Sequence, residues 1–298
     1  MPVPPYQLVS VTVMFEDTTS IPITCKFCNT KGVVRYGHYR QVQRWWCKNC
    51  QRKFVHNAAP PGMRTPTVQV ASALSMFYGG MSLSGIRRHL KQVYDSYPSD
   101  STVYSWITRF TKEAVQARQD YRALAGDTWI ADETVMRIGG SNMWFWDVID
   151  SNSRFLLASN VSKDRTTRDA ETLMSRAARH SIYAPDVIIT DKLADYLDGI
   201  ERIFRADTAH VYSEGVRVEL DLNLIERFRA TLKERTKVME RMQNRETAKL
   251  ITDGWLVHYN FFRPHESLQG RTPAQVVGIA FPFRNWADVV RSGGLIWG

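Results

Sequence analysis

Acidic residues are missing from one long stretch of this 298-residue sequence. Residues 24–64 contain nine Lys or Arg and no Asp or Glu, whereas residues 127–298 contain 23 basic and 24 acidic residues, a net charge of −1. The overall charge of +9 therefore arises mainly from the N-terminal part of the chain. Such a segment predicts a polyanionic partner such as nucleic acid. The Trp and Tyr residues between its charges favour this interpretation over a merely solvated basic face.

Long apolar runs are also missing, since none approaches the roughly 20 residues that a membrane-spanning helix needs. The first six residues, M-P-V-P-P-Y, contain neither a basic leader nor an apolar signal core. We therefore expect a cytoplasmic, nucleoid-associated protein without a membrane partner. A chain of this length can bury a sizeable core and is expected to form more than one domain.

Cysteine is scarce, and all four cysteines lie in two Cys-x2-Cys pairs, Cys25 with Cys28 and Cys47 with Cys50. Eighteen residues separate the pairs, and they alternate in a way that predicts a hairpin. Two thiolate pairs complete a tetrahedral site, so the spacing predicts a zinc ribbon with one structural Zn²⁺. The alternative, a disulfide framework, is disfavoured because nothing marks the chain as secreted.

Three helical patterns follow the break at N-A-A-P-P-G, over Pro66–Tyr78, over Ser82–Tyr94 and from Ser99 onwards. Two short helices, a turn and a third helix suggest a helix-turn-helix, and a small helical bundle for protein contacts is the alternative. Residues expected to contact DNA lie in the ribbon and on the third helix: Arg44, Arg52, Lys53, Ser101, Thr102, Tyr104 and Arg109.

Beyond Asp127 the pattern changes to three β-rich runs, followed by alternating helix and strand, which predicts a mixed α/β sheet. Three carboxylates stand out. Asp132 follows a β-prone run, Asp191 ends the apolar run D-V-I-I-T-D, and Glu226 lies in a charged helical pattern, with 34 residues between it and Asp191. Three acids at the ends of two strands and on one helix can hold two divalent cations, and two cations can clamp the oxygens of a phosphodiester.

Each of these carboxylates has a neighbour that competes with it. Glu133 follows Asp132, but neighbouring strand residues point to opposite faces, so only one of the two can be the ligand. Glu219 and Asp221 compete with Glu226, although acids at a helix start also complement the helix dipole.

Taken together, these pieces resemble the DDE transposases of bacterial and archaeal insertion sequences, whose core is similar to retroviral integrases and RNase H. The resemblance is carried by W-I-A-D-E-T, V-S-K-D-R-T-T-R-D-A, I-I-T-D-K-x-x-x-Y, N-L-I-E-R-F-R-x-x-L-K-x-R-T and Y-N-F-F-R-P-H-E-S-L-Q-G-R-T-P-A. It covers about residues 24–280.

The resemblance implies an RNase H-like core in which Asp132, Asp191 and Glu226 bind two Mg²⁺ or Mn²⁺. It implies cleavage at insertion-sequence ends, transfer of the 3′-hydroxyls into target DNA, and a homodimer or larger assembly. Lys233, seven residues after Glu226, is expected to lie on the same helix face and contact DNA. The expected segments are a lead-in (1–23), a zinc ribbon (24–62), a helix-turn-helix domain (63–122), a catalytic core (123–280) and a tail (281–298).

Two other functions compete with this interpretation. A regulator without catalysis would use the ribbon and the helix-turn-helix alone, but it has no use for three converging acids. An RNase H-like nuclease would cut DNA without joining it, and the sequence leaves this alternative open.

Overall fold

The computed structural model describes residues 23–118, 121–138, 140–190, 194–212 and 245–293. The chain divides into two compact units, the first ending at Asn57 and the second starting at Ala58. Asn57 is also the first residue of the break at N-A-A-P-P-G. The finer limits expected for the ribbon, the helix-turn-helix, the core and the tail stay predictions.

The first unit is a three-stranded antiparallel sheet made of β1 (Val33–Tyr39), β2 (Val42–Cys47) and β3 (Lys53–Val55). The predicted hairpin is therefore confirmed. Strand β2 has two distinct faces: Trp45 pairs with Phe54 and packs in the small core beside the cysteines, while Trp46 pairs with Lys53 on the other face.

The second unit begins with three helices at the predicted places, α1 (Thr67–Tyr78), α2 (Leu83–Tyr94) and α3 (Asp100–Arg118). Ser82 caps α2, because its side chain accepts a hydrogen bond from the Gly85 amide at 3.2 Å. The apolar faces of α2 and α3 pack into the core: Leu83 is partly buried, and the fully or largely buried residues are Ile86, Leu90, Val103, Trp106, Ile107 and Phe110.

A five-stranded mixed sheet follows, in the order β6-β5-β4-β7-β8. Its strands are β4 (Thr128–Ile138), β5 (Ser141–Asp150), β6 (Leu156–Ser162), β7 (Val187–Thr190) and β8 (Ala209–Tyr212). The first three strands form an antiparallel meander, whereas β7 is parallel to both β4 and β8. The described part of the chain thus contains a mixed parallel and antiparallel sheet with helices, so the predicted α/β fold class is confirmed.

The remaining α-helices of the described residues are α4 (Thr167–His180), α5 (Ala194–Phe204), α6 (Arg245–Val257), α7 (Pro273–Val276) and α8 (Trp286–Ser292). Helix α6 stays α-helical through Gly254 and continues as one π-helical turn over His258–Phe262. At Gly254 the helix comes so close to Tyr78 and Thr111 that a Cβ would overlap both side chains. The three helices α1, α3 and α6 are therefore tightly packed at this point.

No helix in the described part of the chain is long and apolar enough to cross a membrane.

Candidate active site and cysteine cluster

Asp132 lies in the middle of β4, the central strand of the five-stranded sheet, and only 7% of it is exposed. Its partner across the antiparallel pair is Asp147 of β5, and Asp147 in turn is opposite Ser159 of β6. Residues directly opposite each other in a sheet share one face. A row of two carboxylates and one hydroxyl therefore runs across three strands.

Glu133 lies on the opposite face of β4, as the alternation of a strand requires. Its side chain is almost fully buried and forms an ion pair with Arg165. It also accepts a hydrogen bond of 2.6 Å from the hydroxyl of Tyr196 on α5. Glu133 thus connects the sheet to the segment before α4 and to α5, and Asp132 is on the other side.

Asp147 is a second buried carboxylate that sequence reasoning missed, and it is 3% exposed. The Ser159 hydroxyl donates a hydrogen bond to its Oδ1 atom. Burial raises the pKa of the Asp147 carboxyl well above its usual range, the hydrogen bond from Ser159 opposes this, and the charge of Asp132 adds to the rise. The signal in the sequence was an acid within the apolar run W-F-W-D-V-I-D, and the register of β4 and β5 places it on the face of Asp132.

Asp150, at the end of β5, has a structural role. Its carboxylate accepts hydrogen bonds from the backbone amides of Asn152 and Ser153, at 3.3 and 3.2 Å, and from the Ser153 hydroxyl. These contacts form the tight turn that leads into β6, as an Asx-type turn does.

The other two proposed metal ligands, Asp191 and Glu226, lie outside the described residues, as does Lys233. Strand β7 is described up to Thr190, the residue before Asp191. Its parallel register with β4 ends at the pair Ile130 and Ile189.

The π-helical turn after α6 anchors the segment Y-N-F-F-R-P-H to the sheet. The side chain of Asn260 is fully buried and pairs with the backbone of Leu156, accepting from its amide at 2.9 Å and donating to its carbonyl at 2.8 Å. Beside it, the ring of Tyr259 packs edge-on against His265, with 4.7 Å between ring centroids. His265 also shapes the loop, because its backbone bonds to Arg271 and Gly270.

In the first unit, the four cysteine sulfurs lie within 4.8 Å of one another. Sγ of Cys25 is 3.6 Å from that of Cys50, and Sγ of Cys28 is 3.5 Å from that of Cys47. A tetrahedral zinc site with Zn–S bonds of about 2.3 Å separates its sulfurs by roughly 3.8 Å. The cysteine cluster therefore fits a structural Zn²⁺.

Thr30 is a part of this cluster that sequence reasoning missed. Its hydroxyl lies 3.4 Å from Sγ of Cys28 and 3.4 Å from Sγ of Cys47. This contact is the main reason why the pKa of Cys28 is lowered to about 5, and it also lowers the pKa of Cys47. Burial acts oppositely on Cys25 and raises its pKa to about 12. Two of the four cysteines are therefore favoured as thiolates, the form that binds metal.

The face of the ribbon sheet that points away from the cysteines carries aromatic and basic side chains. Tyr36 is exposed and stacks on Trp46, with 5.8 Å between ring centroids. The Lys53 ammonium lies 4.1 Å from the Tyr36 ring centroid, and the Arg44 guanidinium lies 5.6 Å from it. Arg52 contacts a different ring, Phe27, at 5.2 Å. Arg44 and Lys53 thus share one surface, which we call the outer face of the ribbon.

The residues of α3 that were expected to contact DNA lie at different positions along the helix and have different contacts. Ser101 and Thr102 lie in the first turn, where both hydroxyls are 2.8 Å from that of Ser99. Arg109 donates to the carbonyl of Gly293 at 3.2 Å and lies 3.7 Å from the carboxylate of Glu113. Tyr104 is half-buried. Their contacts with DNA stay predictions.

A comparison with curated proteins finds no match to this chain. Several solved structures are similar to it at low identity. The integrase catalytic core domain of HTLV-2 in complex with magnesium is 18% identical with a TM-score of 0.41, and the match covers 52% of this chain and 99% of that one. A simian T-cell lymphotropic virus intasome in complex with the PP2A regulatory subunit B56 gamma is 13% identical with a TM-score of 0.41, covering 72% and 77%. The catalytic core domain of BIV integrase is 16% identical with a TM-score of 0.39, covering 51% and 94%.

A family model gives the stronger result. The model DDE_Tnp_IS240, described as a DDE domain, matches residues 126–265, a little under half of the chain. The match starts just before β4 and ends at His265, so it spans the five-stranded sheet and the π-helical turn. Residues 126–265 of this chain therefore resemble a DDE domain.

Proposed function

We propose that this chain is an insertion-sequence transposase that cleaves DNA at the ends of its element and transfers the freed 3′-hydroxyls into target DNA. Asp132, Asp191 and Glu226 are its proposed catalytic carboxylates, and they hold two Mg²⁺ or Mn²⁺ ions.

One observation carries this proposal. Within the segment that matches a DDE domain, Asp132 is buried on one face of the central strand, and the neighbouring Glu133 is engaged in ionic and hydrogen-bond contacts on the other face. Carboxylate oxygens gathered on one buried face are suitable ligands for a divalent cation. Asp147 directly opposite adds a second set of oxygen donors on the same face.

The donor set suits hard divalent cations, because Mg²⁺ and Mn²⁺ prefer carboxylate oxygens. Ile130 of β4 and Ile189 of β7 are partners in the parallel pair of these two strands. Asp132 and Asp191 each come two residues after one of these partners, which supports their proposed convergence. When bound, two such ions lower the pKa of an attacking water or 3′-hydroxyl and stabilise the leaving oxygen. The task of the three carboxylates is then to fix where the ions and the scissile phosphate lie, and no covalent protein intermediate is required.

The N-terminal unit is proposed to bind the DNA ends. Two observations support this role. Residues 24–64 contain no acidic residue, and on the outer face of the ribbon Arg44 and Lys53 lie among exposed aromatic rings. Basic side chains neutralise phosphates, and aromatic rings add contacts with sugars or bases. Zinc bound by the four cysteines would hold this small sheet together, because a unit of this size buries little apolar surface. A homodimer or larger assembly on two DNA ends belongs to the same proposal.

The decisive experiment incubates the purified chain with pre-nicked element ends and a supercoiled target plasmid, in the presence of Mg²⁺ or Mn²⁺. The terminal sequences come from the DNA that flanks the gene. We expect joined products that depend on the divalent cation and disappear in Asp132→Asn. A parallel reaction contains uncut ends. Cleavage of these uncut ends, without any joining of the pre-nicked ends, would instead identify a nuclease. Tight binding of the ends without either reaction, under all divalent cations, would identify a regulator.

A further inference from the structure

Asp147 is a buried acid whose presence the fold itself does not explain. Its strand neighbour Asp150 is equally buried, but Asp150 accepts hydrogen bonds from two backbone amides and one hydroxyl and so holds a turn. Among the described residues, the one hydrogen bond to the Asp147 side chain comes from the Ser159 hydroxyl. Asp147 therefore caps no helix and holds no turn in the described part of the chain.

The position of Asp147 is unfavourable for a purely structural residue. It is directly opposite Asp132 in the antiparallel pair, and such residues have Cβ atoms about 4.5–5.5 Å apart. Like charges placed directly opposite destabilise a sheet, and here both residues are more than nine-tenths buried. Strand pairing alone would be served better by an apolar residue, since the Asp147 position is itself only 3% exposed.

A divalent cation at Asp132 changes this balance, because a positive ion offsets the repulsion between two carboxylates. The affinity of an oxygen site for such ions rises with the number of negative charges around it. Partners that orient a ligand from behind typically change metal affinity by about 10–100-fold when they are removed. Ser159 fixes the Asp147 carboxylate from the side away from Asp132, so its orientation is set before an ion binds.

We propose that Asp147 is a positioning residue of the catalytic metal site, where its Ser159-held carboxylate adds negative charge directly opposite Asp132 and so strengthens the binding of the divalent cation. This inference rests on the proposed function, in which Asp132 is a metal ligand. It adds a fourth acid that the D-D-E pattern does not contain.

The test measures binding of Mn²⁺ alone, without DNA, to the zinc-loaded full-length chain by calorimetry and by the Mn²⁺ electron paramagnetic resonance signal. Thermal unfolding is followed in parallel without and with saturating Mn²⁺. The variants are Asp147→Asn, Ser159→Ala and Asp132→Asn, and Asp150→Asn is the matched control, a buried carboxylate on the same strand.

We expect Asp147→Asn to weaken Mn²⁺ binding about tenfold without lowering the Tm of the metal-free protein. Ser159→Ala should weaken binding in the same direction but less. Asp150→Asn should lower the Tm and leave the Mn²⁺ affinity unchanged, which separates a structural from a positioning role.

Two results separate a failure of this inference from a failure of the proposed function. Loss of Mn²⁺ binding in Asp132→Asn with unchanged affinity in both Asp147→Asn and Ser159→Ala would overturn the inference alone. Unchanged affinity in Asp132→Asn would overturn the metal site itself. If Asp147→Asn does not fold, the Mn²⁺ affinity of Ser159→Ala is the deciding measurement. An unchanged affinity in that variant would overturn the proposed role of Asp147.

Discussion

The hydroxyl of Tyr196 donates a 2.6 Å hydrogen bond to Glu133, the residue next to Asp132 in the central strand. Two adjacent acids therefore have opposite surroundings. Glu133 is held by Tyr196 and Arg165, whereas Asp132 is opposite another acid, Asp147. From this contrast we expect Glu133 to contribute to stability and the adjacent Asp132 to contribute to catalysis.

Glu133→Gln should lower the free energy of unfolding by about 1–3 kcal/mol, because it leaves Arg165 without its buried anionic partner. Asp132→Asn should abolish cleavage and joining with little loss of stability, since it removes a carboxylate that is opposite another acid. Urea unfolding and the strand-transfer assay check the pair. A stable, inactive Glu133→Gln beside an active Asp132→Asn would reverse the two roles.

The purified chain should contain about one zinc per molecule, because four thiolates fill one tetrahedral site. Removal of the ion by a chelator should unfold the first unit, which has only a small core around Cys25, Cys47 and Phe54. Thr30→Val keeps the shape of the side chain but removes the hydroxyl, so it should speed zinc loss to the chelator. Elemental analysis and a colorimetric zinc-release assay measure both effects. Disulfides in place of zinc after native purification would contradict the prediction.

Charges on the outer face of the ribbon should determine how DNA binding depends on salt. Arg44→Gln and Lys53→Gln should each reduce the slope of log K against log[salt] by about 0.9 if each side chain neutralises one phosphate. Arg202→Gln is the control, since it removes one exposed positive charge that is paired with Glu171 on the surface. Fluorescence anisotropy with a labelled element end gives the slopes. Equal changes in all three variants would indicate only a general charge effect.

Lys233→Ala should reduce strand transfer far more than Arg235→Ala or Lys237→Ala at the same salt concentration. Lys233 is seven residues after Glu226, close to two helical turns, so the two side chains are predicted on one face about 10 Å apart. A cation there can hold a phosphate near the cut. Circular dichroism checks that folding is unchanged. Small and equal losses at the three positions would make Lys233 one surface charge among several.

His180 should make the protein less stable as the pH falls from about 6.5 to 4. Burial and the charge of Arg118 lower the pKa of His180 from 6.5 to about 4. In this window the unfolded chain binds a proton that the folded chain does not. The free energy of unfolding therefore falls by at most about 1.4 kcal/mol for each unit by which the pH is lowered. His180→Gln removes this term, and the decrease of its Tm between pH 6.5 and 4.5 should be smaller. His89→Gln in α2 is the control. An unchanged pH profile in His180→Gln would contradict the prediction.

The local elements of this chain followed from the sequence because their signals are local. Turn residues and apolar periodicity predicted α1 to α3, and the three β-rich runs after Asp127 predicted the strands β4, β5 and β6. The cysteine spacing likewise predicted the metal cluster, because a Cys-x2-Cys pair already presents two sulfurs to one ion. Asp132 was also readable as a candidate acid, but it was expected at the end of a short strand, whereas β4 continues beyond it to Ile138.

Relationships between distant residues came only from the tertiary structure. Glu133 and Tyr196 are 63 residues apart in sequence, and Asn260 and Leu156 are 104 apart, so no periodicity within a segment could pair them. Asp147 looked like an ordinary acid in an apolar strand until strand register placed it opposite Asp132. The physical reason is that alternation determines which face a residue occupies, whereas its neighbours on that face depend on register and on the packing of other elements. The sequence by itself thus determined the elements and the candidate acids, and the fold decided which acid is structural and which faces another acid.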